Sequence, residues 1–265
     1  MNERINYLKT YILDKQHHSQ RRTLQSVGLD KLSTSYALHG LSPVERATAC
    51  FAASMDAETP VILPGERIVF TRTLTQIPDP YTPEEWNEIK SKHYIHEKGT
   101  VCNISPNYAY TIRHGLEARK QEIRKRQETP SLNEREKTFL QAMYQSIISI
   151  QNLIEKYEQY ALSINETETA YTLHTVKTEG AQNFRQALQL LRILHFSIWE
   201  AGNYHNTLGR FDQYMYPFYQ KDLENGTLTK EEAFDLLKEC FLVCNKDSDL
   251  YPGMQQGDNG QSLVL

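Results

Sequence analysis

Cysteine is scarce in this 265-residue chain. Cys50, Cys102, Cys240 and Cys244 show none of the regular spacing of a disulfide framework, which excludes a small secreted scaffold and fits a reducing compartment. Two glycosylation-like triplets, Asn165-Glu166-Thr167 and Asn225-Gly226-Thr227, then read as chance matches. No stretch approaches the ~20 apolar residues of a membrane span. No apolar signal core follows Met1-Asn2-Glu3-Arg4, so the expected location is the cytosol, away from any membrane. An excess of basic charge is also missing: the formal net charge is −4 and the isoelectric point near 6.2, which argues against a nucleic-acid partner. Internal repeats and low-complexity linkers are absent. Basic residues Arg119-Lys120 and Arg124-Lys125-Arg126 alternate with Glu117, Glu122 and Glu128, the pattern of a solvated helix face.

Helical signals fill the chain. Arg4 to Leu13 is amphipathic, with Ile5, Leu8, Ile12 and Leu13 on one side. Ser42-Pro43-Val44-Glu45 caps a second helix, Thr82-Pro83-Glu84-Glu85 a third, and Thr229-Lys230-Glu231-Glu232 a late one. Asn107 to Gln127 and Leu132 to Ile164 are predicted as an antiparallel hairpin broken at Pro130-Ser131. A coiled-coil dimer arm is the alternative for the second of these. From Ala181 to Trp199 apolar residues run nearly all round, which demands a helix enclosed by protein. Glu66 to Thr71 is the best internal strand candidate. At the end, the turn-rich Gly257-Asp258-Asn259-Gly260 gives way to the apolar Leu263-Val264-Leu265. That reads as a strand begun and cut.

Several residues invite chemistry and most have a plainer role. Cys240 and Cys244 stand one helical turn apart without an accompanying ligand set, so core packing is expected. His17-His18 reads as exposed surface, His195 as a core histidine, and Cys102 as a loop thiol with no activating charge. The densest constellation runs from Asn203 to Tyr219, where Gly202 and Gly209 bracket a polar loop and Arg210, Asp212 and Gln213 stand among aromatics. Burying Asp212 alone would cost several kcal/mol or raise its pKa. Either Arg210 and nearby backbone groups satisfy it, or it awaits a polar ligand.

These residues also carry a resemblance. Gly209-Arg210-Phe211-Asp212-Gln213-Tyr214-Met215-Tyr216-Pro217, then Lys221 to Ala233 and Gly257 to Leu265, resemble the glycyl radical enzymes of the pyruvate formate-lyase superfamily. Weaker echoes are Ile104-Ser105-Pro106-Asn107-Tyr108, His114-Gly115-Leu116 and Pro64 to Val69. The resemblance implies a mainly α fold: a helical layer that wraps a ten-stranded α/β barrel and ends on its first strand. Residues 1–265 would form one N-terminal part of that domain, with no internal boundary.

It also implies a reaction, cleavage of a C–O or C–N bond in a small molecule after hydrogen abstraction by a thiyl radical. A radical S-adenosylmethionine activase would install the glycine radical, and the whole enzyme would be a homodimer. No cofactor is expected on this chain itself, because no glycine here precedes an aromatic residue and no cysteine has Glu two places on. The chain alone should therefore be inert. What it carries by resemblance is part of the substrate shell: Asp212, Tyr204 eight residues earlier, and Arg210. A carboxylate and a phenol suit a cationic or hydroxylated substrate. Formate acetyltransferase-like acyl transfer, with Arg210 as the cation, is the alternative chemistry. A non-catalytic helical interaction module is the alternative class.

Overall fold

The computed structural model describes residues 2–93, 104–203 and 206–247, together with the backbone of residues 262–264. Cys102 and Tyr204 lie outside the described residues. The described chain is mainly helical, as expected. Its helices are α1 (Glu3–Leu13), α2 (Leu32–Leu38), α3 (Pro43–Ala57), α4 (Pro83–Ser91), α5 (Tyr108–Gln127), α6 (Glu134–Ser163), α7 (Thr167–Thr178), α8 (Phe184–Glu200), α9 (Phe211–Glu224) and α10 (Lys230–Cys244). Strands β1 (Thr207–Arg210) and β2 (Ser262–Val264) form a parallel pair.

Capping chemistry sets several of the starts. Ser42, Thr82 and Thr229 each accept a hydrogen bond from the backbone three residues on, and Glu45, Glu85 and Glu232 answer in return. Asn133 and Glu136 do the same for α6, placing its start at the break after Pro130. α5 and α6 run antiparallel within the chain, joined by Lys120 to Gln151, Arg124 to Tyr144 and Gln127 to Gln141.

α8 is the central element. Leu188, Leu190, Ile193, Phe196 and Trp199 are fully buried, against α3, α5, α7, α9 and α10. A helix apolar on all sides finds protein on all sides. Cys240 and Cys244 lie buried in α10, in the packing role expected of them.

The strand expected over Glu66–Thr71 does not form. The segment is largely buried, with a bend at Arg67-Ile68, and among the described residues no strand pairs with it. At Phe70 φ is +96°, which breaks the alternation that a ladder needs. Side chains take the place of the ladder. Glu239 accepts from the N–H groups of Arg67 and Ile68 (3.0 Å for the latter). Gln189 of α8 accepts from Val69 N–H at 2.9 Å and donates to Val69 C=O at 3.3 Å. Tyr157 of α6 accepts from Thr71 N–H at 2.8 Å, while Arg192 donates to Phe70 C=O at 2.8 Å. Every one of these partners comes from a distant helix, so alternation alone could not show what would pair with the segment.

The surface reading of His17 is also overturned. Its ring is 2% exposed, set against Tyr11 of α1 and near Lys246 and Asp247. Burial, with Arg21 and His18 nearby, pushes its pKa down to about 3, so the ring is neutral.

Candidate functional site at the start of α9

The site begins where α8 ends. Gly202, at φ +85°, lets its own N–H reach Trp199 C=O at 2.9 Å and the N–H of Asn203 reach Ile198 C=O at 3.1 Å. That closes the helix with a left-handed glycine. Asn206, fully buried, donates back to Asn203 C=O at 2.9 Å. Thr207 N–H then bonds to Ile104 C=O at 3.0 Å, which fixes the start of β1 beside the Ile104–Asn107 stretch.

β1 runs parallel to β2, with Thr207 opposite Ser262, Gly209 opposite Leu263 and Arg210 opposite Val264. Gly209, inside β1 rather than at a loop edge, has φ +60°. The positive φ bends the strand between Thr207 and Gly209 and turns it directly into α9. Tyr214 donates its hydroxyl to Leu208 C=O at 2.7 Å, tying the first turn of α9 back to β1. Phe211, Tyr214 and Met215 bury the inner face of that turn.

Arg210 and Asp212 are left on the open side. Arg210 Nε lies 3.3 Å from Asp212 Oδ1 and Nη2 lies 3.2 Å from Oδ2. Their side chains are 50% and 38% exposed, so water or a ligand can reach either group. The Arg210 hydrogen bond holds the Asp212 carboxyl below the usual carboxylate range. The N-terminal turn of a helix favours the same negative charge. Asp212 is therefore anionic at neutral pH and already engaged by one movable cation. Of the residues singled out in sequence, the structure brings Arg210 and Asp212 together. Tyr204 lies outside the described residues.

A separate cleft of about 480 Å³ opens among α3, α5, α6 and α8, lined by Thr48, Phe51, Tyr108, Ile150 and Ile198. Neither Arg210 nor Asp212 lines it.

Sequence reasoning missed a set of buried charges behind the site. Arg192 donates to both carboxylate oxygens of Asp247, Lys246 bonds to Glu66 and Thr71, and Arg72 Nη2 lies 2.8 Å from Glu200 Oε2. His195, held neutral by burial with a pKa of about 4, accepts from Trp199 Nε1 at 3.2 Å. The available signal was Arg192 and Glu200 themselves, two charged residues inside a run otherwise suited to full burial.

Comparison with known proteins agrees with this architecture. Residues 71–261 match the family model described as pyruvate formate lyase-like. The probable dehydratase YbiW of Escherichia coli is 28% identical over 158 residues, covering 53% of this chain and 20% of the relative. Trans-4-hydroxy-L-proline dehydratase of Clostridioides difficile is 30% identical over 163 residues, covering 54% of this chain and 20% of the relative. The chain thus matches about a fifth of the length of each, 20% in both cases. In fold, it is similar to the B12-independent glycerol dehydratase of Clostridium butyricum in its glycerol-bound form. The TM-score is 0.73 at 18% identity, over 97% of this chain and 41% of that one. The mainly α architecture ending in a parallel strand pair is therefore that of a known, larger fold.

Proposed function

The chain belongs to the pyruvate formate lyase-like family, and we propose that it serves a glycyl radical lyase or dehydratase as part of its substrate shell. In this reading the whole enzyme cleaves a C–O or C–N bond in a small hydroxylated or cationic molecule. The observation that carries the reading is the placement of Asp212: an ionised carboxylate on the first turn of α9, open to solvent and held by the Arg210 side chain and by backbone N–H groups of Gln213 and Asp212 itself. The relatives described above, dehydratases among them, point the same way.

The chemistry of Asp212 limits its role. A carboxylate kept ionised at neutral pH accepts hydrogen bonds or neutralises an ammonium group, but it cannot protonate a leaving group. Its task is to hold and orient the substrate while Tyr204 supplies a second hydrogen bond. Arg210 then either moves aside for a cationic substrate or stays to fix the carboxylate for a hydroxylated one.

A glycine-centred radical, installed by a radical S-adenosylmethionine activase, would supply in the whole enzyme the oxidant for a cysteine whose thiyl radical abstracts hydrogen from the substrate. The residues of this chain do not fit that task. Cys50, Cys240 and Cys244 are buried in the helical core, burial pushes the Cys50 thiol up to about 12, and none has Glu two places on. No radical step is assigned to them. The reading further includes a homodimer and no activity of these 265 residues alone. Acyl transfer on a carboxylate substrate is disfavoured, because the cation it would need, Arg210, is neutralised by Asp212.

The test uses the whole enzyme, activated without oxygen and offered glycerol, trans-4-hydroxy-L-proline and related hydroxylated compounds. Asp212→Asn and Tyr204→Phe should leave the glycine-radical signal in electron paramagnetic resonance unchanged. Turnover should fall roughly 10- to 100-fold for Asp212→Asn, the scale of a lost hydrogen bond to a charged group. Wild-type turnover in Asp212→Asn would return that residue to a structural role.

A further inference from the structure

Among the described residues at the end of α8, buried acids outnumber buried bases. Around the end of α8 and the segment 66–73, the carboxyl groups of Glu58, Glu66, Glu200 and Asp247 and the cations Arg72, Arg192 and Lys246 are all at most 1% exposed. Arg192 is taken by Asp247, and Lys246 by Glu66. The buried Glu239 has its own partners in Arg4 and Arg67. Arg72 remains, and two carboxyl groups claim it. It lies 2.8 Å from Glu200, and although burial pushes the Glu58 carboxyl up as well, the charge of Arg72 opposes that rise. Among the described residues one acid is in surplus.

A carboxylate without water or a cation is far costlier to bury than a neutral carboxylic acid, so the surplus group keeps a proton. The two candidates differ in what they accept. Glu58, at the end of α3, receives the N–H of Thr73 at 2.6 Å and the Thr73 hydroxyl, both of which favour its charge. Among the described residues, neither oxygen of Glu200 accepts a hydrogen bond from backbone or hydroxyl.

The groups that face Glu200 are Arg72 from the segment 66–73, Glu58 and Cys50 from α3 and its end, and Asp247 from the turn after α10. Arg192 and His195 of its own helix face Asp247. Apart from Arg72, the groups that act on Glu200 directly are acids or a neutral thiol. We propose that Glu58, Arg72 and Glu200 form a carboxylate–guanidinium–carboxylic acid triad with the proton on Glu200 at neutral pH. Alkaline loss of that proton loosens the end of α8 that leads into β1.

Burial is the main cause of a Glu200 pKa near 8, with Arg72 opposing it and Glu58 and Asp247 adding to it. Its folded value lies above the ordinary 4.5, so the folded chain holds more protons than the unfolded one between those limits. Stability therefore falls as pH rises through this window and stays low above it. Glutamine at position 200 cannot ionise, so the variant lacks this loss.

The experiment follows thermal melting of the protein from about pH 5 to about pH 9 for wild type, Glu200→Gln, Glu58→Gln and the double variant. Glu200→Gln should match wild type within about 2 °C near pH 6 and exceed it near pH 9. Glu58→Gln should also be tolerated at neutral pH, because Glu200 then ionises against Arg72. The double variant leaves Arg72 unpaired and should melt lower than the two single effects combined. If Glu200→Gln at pH 7 is as damaging as the double change, Glu200 is an ordinary ionised partner and the triad is refuted. Infrared spectra of wild type with isotope-labelled glutamate give a second readout that requires no variant to fold. A protonated carboxyl band that titrates away above neutral pH supports the assignment, and its absence at pH 7 overturns it.

Discussion

Gly115 and Gly180 meet where two backbones cross. α5 breaks at Gly115, where φ is +84°, and Ala181 N–H bonds across to Ile112 C=O at 2.8 Å. A Cβ on Gly115 would stand 2.4 Å from the Glu179 carbonyl carbon, and one on Gly180 would stand 2.0 Å from Arg113 O. Gly115→Ala should cost at least ~1–2 kcal/mol from the left-handed backbone alone, before any displacement of the crossing. Urea denaturation measures it, and a midpoint equal to wild type would mean that the crossing relaxes freely. His17 makes an opposite kind of demand, since it must stay neutral. Its folded pKa of about 3 lies below the ordinary 6.5, so its share of stability is present above the latter and is lost as pH falls towards the former. The melting temperature of wild type should therefore drop more steeply between about pH 7 and pH 5 than that of His17→Phe. Parallel profiles would show that the ring is solvated. The pairing of Arg210 with Asp212 was legible in sequence because the two stand two residues apart. His17 was not, because polarity says nothing about which elements fold over a residue.

The segment 66–73 shows the same limit for whole elements. Its composition suggested a strand, and its burial is real, but the backbone bends at Arg67-Ile68 and turns to positive φ at Phe70. Its hydrogen-bond partners, however, include Gln189, Tyr157, Arg192 and Glu239, all from helices distant in sequence. Gln189→Leu would orphan both the N–H and the C=O of buried Val69, at a cost of about 2 kcal/mol or more. A chemical-denaturation midpoint within error of wild type would contradict the role given to that side chain. Capping boxes made α3, α4 and α10 readable, and apolar residues on nearly every side made α8 readable. α7 escaped because it is rich in threonine, a weak helix former whose residues here are buried against neighbours. α9 escaped because Pro217 lies inside it, on an exposed side where the missing bond to the turn before is tolerated.

For the whole molecule, family membership and fold rest on the match over residues 71–261 and on the likeness to glycerol dehydratase. The helices place a half-exposed, ionised carboxylate on a strand-to-helix turn, and a buried charge cluster braces the helix before it. The mainly α architecture was legible because helix signals are local. The charge cluster was not, because Glu58, Arg72, Glu200 and Asp247 meet only after four separate segments fold together. The most direct measurement is a crystal structure of the whole enzyme with a substrate it turns over. The account expects a substrate hydroxyl or ammonium group within hydrogen-bond distance of the Asp212 carboxylate. A substrate seated elsewhere, with Asp212 still turned outward onto Arg210, would contradict it.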